Sequence, residues 1–244
     1  MPTDAAASVL AEPALVDLLR LTKLANSLLF LLTAVVDADH GDDSTSVRRR
    51  ITGGLLIGGM TCETLKVASE VVKHERFAVY ASALRRLIEH PLVADVNSKY
   101  LARARDKAAF HADKVVMREA LPGLKVSTAI LEHVSGWNTL NTYYPTADLL
   151  AYLYILGDDL PTDEEISAFH SSVHSRLRRL EPAENEGPFD NAIRRAVEVT
   201  VQVSSALSDA ISQLTVQVHK EIGGQVVAGP PRSAAQRAAD APGA

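Results

Sequence analysis

The sequence predicts an all-α protein. Apolar residues recur at helical spacing along most of the chain, and no segment alternates polar and apolar residues as a strand would. The first helical run is carried by Leu15, Leu18, Thr22, Ala25, Leu29, Leu32 and Val36. Of 244 residues, 47% are hydrophobic and 23% are charged, a balance that excludes a disordered chain and allows a sizeable core.

The first helix is expected to end before the polar segment 37–43, and a second helix to run from about Ser44 to His74. This second helix contains two glycine pairs, Gly53-Gly54 and Gly58-Gly59. Glycine costs about 1 kcal/mol in a helix interior. The pairs therefore indicate either a break in the helix or close contact with a neighbouring backbone.

Later helices are delimited by local signals. The expected helices cover residues 76–89, 92–121, 126–136, 146–156 and 162–180. The one over 76–89 ends at His90-Pro91, because the residue before a proline avoids the α region. Thr162 and Glu165 have the spacing of a capping box at the start of another, and the polar segment 181–188 is expected to be a loop.

The last helix is predicted from about Phe189 to Ile222. Apolar or small residues recur in it with a spacing of about 3.5 over about four heptads. Its length allows two partners for this seam, either its own bundle or a second subunit. We expect one helical domain over 8–222, followed by a tail over 223–244 that lacks periodicity and is predicted to be disordered.

Charge and cysteine content restrict the class of protein. The sum of 25 Lys and Arg against 30 Asp and Glu is −5, which argues against a surface that is positive all over. The single cysteine, Cys62, excludes an internal disulfide or a cysteine zinc cage. The start of the chain does not look like a secretory signal, and the apolar stretch Leu24–Val36 is shorter than the roughly 20 residues of a membrane span. We therefore expect a soluble cytoplasmic protein without a membrane partner.

The helix over 92–121 carries a basic segment. Between Lys99 and Arg118 it holds six positive and two negative side chains. The positive residues are Lys99, Arg103, Arg105, Lys107, Lys114 and Arg118. In an acidic protein such a segment points either to a partner that bears phosphates or to a solvated face neutralised by acidic neighbours.

One stripe of the same helix is apolar, and a histidine lies in its middle. At α-helical geometry the stripe consists of Leu101, Ala104, Ala108, His111 and Val115. A histidine there is either a core residue or a proton-transfer group. Arg105 would lie about 120° around the helix from His111 and about 9 Å along it, so the two do not share a face.

The segment RARDKAAFHADK, residues 103–114, resembles the motif of HEPN-domain (higher eukaryotes and prokaryotes nucleotide-binding) proteins. Arg105, Asp106 and His111 match its Arg-polar-His order. Lys107, Phe110 and Asp113 agree further with the branch related to abortive-infection proteins, and the likeness covers residues 90–120. The resemblance implies a helical bundle that acts as a metal-independent endoribonuclease, often as a homodimer.

The resemblance also implies roles for the motif residues. His111 would transfer protons during attack of the ribose 2′-hydroxyl, since its ordinary pKa lies near neutrality. Arg105 would stabilise charge on the phosphoryl oxygens, and Asp106 would orient a partner or the histidine. We assign RNA contacts to Lys99, Arg103, Lys107 and Lys114. No metal or cofactor is expected, and a toxin or phage-defence role would add an antitoxin or regulatory partner.

Other interpretations stay open. The main one is a non-catalytic helical interaction or nucleotide-binding protein whose 100–118 segment docks a partner. Asp39, Asp42 and Asp43 could hold Mg²⁺ or be loop acids, and His170 with His174 could ligate a metal or be surface residues. Trp137, Tyr143 and Tyr144 could stack on bases or pack internally.

Overall fold

The protein is a bundle of helices. The computed structural model describes residues 13–36, 44–109, 145–156, 160–173, 177, 180 and 187–221. These ranges contain helices and turns but no strand, which confirms the predicted all-α class. Their seven α-helices are α1 (Pro13–Val36), α2 (Ser44–Val71), α3 (Ser82–Ile88), α4 (Pro91–Val96), α5 (Pro145–Ile155), α6 (Asp163–Ser172) and α7 (Pro188–Glu221). A 3₁₀ turn spans Glu75–Phe77, and π-helical segments span Asn97–Leu101 and Ala104–Ala109.

Helices α1 and α2 form an antiparallel hairpin. Near the hairpin end, Val35 of α1 lies against Gly53 of α2, where an added Cβ would come within 2.5 Å of Val35 Cγ2. At the open end, His74 Nε2 lies 3.0 Å from Asp17 Oδ2. The apolar stripe predicted for the first helix is confirmed in part: Leu18 and Leu32 are core residues, whereas Leu29 is 49% exposed. The buried stripe passes through Leu28 instead. Burial of that stripe is what joins α1 to the bundle.

The glycine pairs do not break α2, which continues from Ser44 to Val71. A Cβ added to Gly54 would lie 2.6 Å from Tyr152 Oη and 2.9 Å from Val197 Cγ2. A Cβ added to Gly58 would lie 3.3 Å from Ala104 Cβ. Of the two alternatives from the sequence, close contact with neighbouring elements is therefore correct. Because these glycines have no side chain, α5, α7 and the second π-helical segment can approach the backbone of α2.

Helix α7 lies in the interior of the bundle. Every residue from 196 to 204 is buried, and the helix packs against α1, α2, α3 and α6. Most of the heptad seam is buried there too, from Ala196 through Leu207 to Val218. Of the two partners that the sequence allowed for this seam, the chain's own bundle is the one observed.

Two expected helices have different bounds. The helix predicted over 76–89 is divided into the 3₁₀ turn and α3, with a turn at 78–80 between two fully buried residues, Phe77 and Ala81. The helix predicted to reach residue 180 ends at Ser172. The Leu177 carbonyl oxygen lies 2.9 Å from His170 Nε2, whereas in a continuous helix residues 170 and 177 would be about 10 Å apart along the axis.

Other expectations were met or lie outside the described residues. Helix α4 begins directly after His90, and the Thr162–Glu165 capping box is present with both hydrogen bonds, at 3.2 and 2.8 Å. The segment 37–43, the expected helix 126–136, most of the loop 181–188 and the tail 223–244 lie outside the described part of the chain.

Helix α1 also has an exposed apolar face. Among the described residues, the stretch Pro13–Val35 is the one helix long and apolar enough to cross a membrane, and 33% of its most apolar window is buried. Leu19 and Phe30 are exposed, Phe30 by 75%. The 13-residue stretch Leu24–Val36 that the sequence suggested is the uncharged part of this helix, and it excludes the first turns, which carry Asp17, Arg20 and Lys23. A single helix of this kind does not establish a membrane span, because core helices pass the same test.

Candidate functional site

The basic segment starts on a helix that changes its winding. Helix α4 opens with Pro91 at its first position and with His90 as its cap, where the Nδ1 atom accepts a hydrogen bond from the Leu92 amide at 3.3 Å. Over 97–101 and again over 104–109 the backbone is π-helical. π-Helical turns are rare and frequently occur at functional sites.

The observed winding differs from the one on which the expected geometry of Arg105 and His111 depends. The predicted angle and distance between Arg105 and His111 assumed 3.6 residues per turn, whereas a π-helix bonds each residue to the fifth one along and is wider. The assumed winding does not hold over 104–109, and His111 lies outside the described residues, so the angle and the distance stay predictions. The apolar stripe is confirmed where it is described, since Leu101 and Ala104 are fully buried. Packing of Ala104 close to the bare backbone at Gly58 ties this segment to α2.

Arg105 is held by two carboxylates. Its Nη1 donates a hydrogen bond to Glu63 Oε1 at 3.0 Å, and its Nε donates to Asp106 Oδ1 at 2.6 Å. The hydrogen bond with Asp106 raises the pKa of Arg105 above its usual value, so the guanidinium remains a cation. Its side chain is 28% exposed. Arg105 is thus oriented from two directions and still reaches the surface.

The sequence did not identify Glu63. This residue lies on α2, 42 positions before Arg105, outside the motif that drew attention to residues 103–114. The available signal was that Glu63 is the first charged residue after Arg50, in an otherwise apolar part of the helix. Lys66 follows three positions later and offers a partner on the same helix, so this signal did not point to a residue as distant as Arg105.

The other predicted site residues divide into three groups. Lys99, in the first π-helical segment, forms an ion pair of 2.8 Å with Asp95 one turn earlier on α4, and Arg103 is exposed. Asp106 forms an ion pair with Arg105, and its side chain is 51% exposed. His111 and Lys114 lie outside the described residues, as does the side chain of Lys107. The structure therefore brings Arg105 and Asp106 together and leaves the partner histidine of the motif unplaced.

A surface cavity of 430 Å³ adjoins this cluster. It is lined by Ala102, Arg103 and Asp106 from the basic segment and by Tyr154 from α5. Asp106 links the cavity to Arg105, because it lines the cavity and its Oδ1 accepts the hydrogen bond from Arg105 Nε. The sequence did not point to Tyr154, because no sequence pattern links α5 to the motif over residues 103–114.

Cys62 lies beside the cluster but has the wrong chemistry for a nucleophile. The side chain is buried in the core, and this burial raises the pKa of its thiol, although the charge of Arg105 acts in the opposite direction. A thiol with a raised pKa stays protonated near neutrality and reacts slowly. The cluster therefore offers a cation and carboxylates, with no activated thiol.

The two metal hypotheses find no support in the described part of the chain. It contains no group of three or more His, Cys, Asp or Glu side chains that could hold a metal ion. His170 Nε2 is in hydrogen-bond contact with the Leu177 carbonyl, and His174 lies outside the described residues together with the acidic segment 37–43.

Comparison with known proteins adds no relative. Neither the family models, nor the curated proteins, nor the solved structures contain a match to this chain.

Proposed function

We propose that this chain is a HEPN-like protein that acts on RNA as a metal-independent endoribonuclease. The observation that carries the proposal is the state of Arg105. Two carboxylates hold the guanidinium through Nε and Nη1, while Nη2 donates no hydrogen bond within the described part of the chain. A fixed, partly exposed guanidinium edge matches the geometry of a phosphate group.

In the proposed reaction the ribose 2′-hydroxyl attacks the adjacent phosphorus. The 5′-oxygen leaves, and the products are a 2′,3′-cyclic phosphate and a 5′-hydroxyl end. Arg105 stabilises the charge that builds on the phosphoryl oxygens, and preorganised donors of this kind are usually a large contributor to catalysis. Asp106 keeps Arg105 in place. His111 moves the proton, and no metal or other cofactor takes part.

The remaining parts of the proposal follow from the basic segment and the motif. Lys99, Arg103, Lys107 and Lys114 contact the RNA backbone. A second copy of the chain brings its own motif to the same site, and an antitoxin or regulatory protein controls the activity. The protein acts in the cytoplasm, in a toxin or phage-defence role.

A second candidate is a non-catalytic interaction protein that docks a partner through the same segment. The neutralisation of Arg105 favours it, because Glu63 and Asp106 together contribute more negative charge than the guanidinium supplies in positive charge. The pairing of Lys99 with Asp95 points the same way. These pairs are what a solvated, internally neutralised face would contain.

Cleavage of RNA in the presence of EDTA separates the two candidates. We expect the purified protein to produce 2′,3′-cyclic ends under chelation. Arg105→Ala should lower the rate at least about a hundredfold, as loss of a donor to a developing oxyanion does. His111→Ala should abolish cleavage.

The matched control is Arg86→Ala, which removes the same charge from an exposed position on α3. It should leave the rate unchanged. Equal cleavage by all four proteins would assign the activity to a contaminant, and absence of cleavage in the unaltered protein would favour the interaction candidate.

A further inference from the structure

The outward face of α1 is a heptad seam. Its six positions follow one another at spacings of three and four residues, and all are exposed: Val16, Leu19, Lys23, Asn26, Phe30 and Thr33. The opposite face repeats the same spacing, and its side chains are buried in the chain's own core: Leu18, Leu21, Ala25, Leu28, Leu32 and Val35. Steps of three and four residues keep a stripe of side chains against one neighbouring helix, as in a coiled coil. Helix α1 therefore has the pattern of a helix that packs against partners on two sides.

Large apolar side chains are concentrated on and beside this outward face. Of five exposed large hydrophobic residues in the described ranges, four lie on α1: Val16, Leu19, Leu29 and Phe30. Two lie toward each end of the helix, with Lys23 and Asn26 between the two groups. The four residues expose roughly 400 Å², so two copies with the intervening side chains would bury roughly 1,000 Å², the lower limit for a specific interface.

The outward face is complementary to a second copy of itself in one arrangement. When two α1 helices run antiparallel, with the midpoint between Lys23 and Asn26 in register, Leu19 of each copy meets Phe30 of the other. The same register places Lys23 of each copy beside Asn26 of the other, so the ammonium group can donate a hydrogen bond to the amide oxygen. Apolar side chains then meet apolar ones, and polar side chains meet polar ones.

The remaining pair of positions agrees with this arrangement. Val16 of each copy meets Thr33 of the other, and the Thr33 hydroxyl already donates a hydrogen bond of 2.9 Å to the Leu29 carbonyl. Burial of that hydroxyl against Val16 therefore leaves no polar group unpaired. All six positions of the face are matched at once.

Other arrangements and other occupants fit the face less well. A parallel pair would place Lys23 of one copy against Lys23 of the other, where like charges repel. An antiparallel pair shifted by one heptad would place Lys23 against Leu19 in one direction and Asn26 against Phe30 in the other. A lipid surface would have to take up Lys23 and Asn26 between the two apolar groups, without a protein partner for either.

We propose that this face is a two-fold interface at which two copies of the chain pair through antiparallel α1 helices, with Lys23 and Asn26 beside the axis. A two-fold interface uses the same patch on both subunits and has to be self-complementary, which is the property that the outward face has. Leu19 and Phe30 contribute most of the contact, and the Lys23–Asn26 pairs fix the register. The inference concerns assembly and goes beyond the proposed action on RNA.

Sedimentation velocity of the full chain measures the assembly directly. We expect a species with twice the mass of one chain at micromolar concentrations. Leu19→Glu places a carboxylate against Phe30 of the other copy twice in each dimer, so it should raise the dissociation constant of the dimer at least about a hundredfold. The matched control is Val79→Glu, which puts the same charge at an apolar residue that is 81% exposed and lies outside α1. It should leave the dissociation constant unchanged.

Cysteine cross-linking tests the direction and the register. Val16→Cys combined with Thr33→Cys in one chain should give a covalent dimer on oxidation, because each new thiol faces its counterpart on the other copy. Val16→Cys alone should give none, since position 16 of the two copies would lie about 25 Å apart along the axis, beyond the reach of a disulfide. The native Cys62 is buried in the core, so it does not compete.

Three outcomes would overturn the inference. A chain that stays monomeric, whether or not it floats with phosphatidylcholine vesicles, would show that a second copy does not cover this face. A dimer that survives both Leu19→Glu and Phe30→Glu would place the interface elsewhere. Cross-linking of Val16→Cys alone would refute the antiparallel direction.

The same experiments separate this inference from the proposed function. A dimer that cleaves no RNA contradicts the proposed function alone, whereas RNA cleavage by a chain that does not pair through α1 contradicts this inference alone. Should Leu19→Glu lose its helical circular dichroism, Phe30→Glu takes its place, because the Phe30 side chain is 75% exposed and lies away from the core.

Discussion

Replacing Gly54 with alanine should destabilise the protein, although alanine is the better helix former. In an open helix interior the change would stabilise by about 1 kcal/mol. Here the new Cβ would lie 2.6 Å from Tyr152 Oη and 2.9 Å from Val197 Cγ2. Neighbouring side chains must move, because Cβ atoms do not approach other atoms so closely.

The magnitude follows from what must move. To avoid the Cβ, the Tyr152 hydroxyl has to leave the Ile51 carbonyl, to which it donates a hydrogen bond of 3.0 Å, and such a bond contributes about 1 kcal/mol. Overpacking against Val197 costs about 1–3 kcal/mol. These costs exceed the gain in helix propensity, so the free energy of unfolding should fall by about 1–3 kcal/mol.

Urea unfolding followed by far-UV circular dichroism measures this change. The matched control on the same helix is Gly58→Ala, whose Cβ would have Ala104 Cβ at 3.3 Å as its nearest neighbour; here propensity and contact should cancel to within about 1 kcal/mol. A second variant, Tyr152→Phe, should reduce the cost of Gly54→Ala when the two are combined. The close approach of α5 and α7 to α2 would be refuted if Gly54→Ala stabilised the protein.

Two further predictions concern polar groups away from the site. The side-chain amide nitrogen and oxygen of Gln202 are buried without a hydrogen-bond partner in the described structure, so Gln202→Met should raise the free energy of unfolding by about 1–2 kcal/mol. The control Gln213→Met, at an exposed position, should leave it unchanged. A loss of stability in Gln202→Met would contradict the statement that this amide is unpaired. The hydrogen bond with His74, together with Arg20, holds the pKa of Asp17 below its usual value. Because its pKa is lowered in the folded protein, the Asp17 carboxylate contributes stability above about pH 4, and this contribution is lost as the pH falls. Asp17→Asn should therefore weaken the dependence of the free energy of unfolding on pH in the acid range. An unchanged dependence would contradict the role of the Asp17–His74 contact.

Local signals account for what the sequence predicted well. The start of α4 depends on Pro91 beside its cap, and the start of α6 on the reciprocal hydrogen bonds of Thr162 and Glu165. Each signal acts within about one turn of helix, so it can be recognised without knowledge of the fold. Most of the buried stripe of α1 follows in the same way from apolar spacing along one element, but that spacing did not decide between Leu28, which is buried, and Leu29, which is exposed.

The candidate site was predicted only in part. The motif identified Arg105 and its neighbour Asp106, which are adjacent in the chain and meet in the structure. Glu63 and Tyr154 were missed, since each reaches the site from another helix. No pattern within the motif encodes the side chains that an adjacent helix presents to it.

The sequence alone determined that the chain is helical, where several of its helices begin, and which segment carries the concentrated positive charge, because these properties depend on residue types and on spacings of a few positions. The tertiary structure decided that the glycine pairs of α2 receive neighbouring elements, that the seam of α7 is buried in its own bundle, and that Glu63 holds Arg105. Each of these depends on which distant elements come to lie side by side, and that is settled by the packing of the whole core.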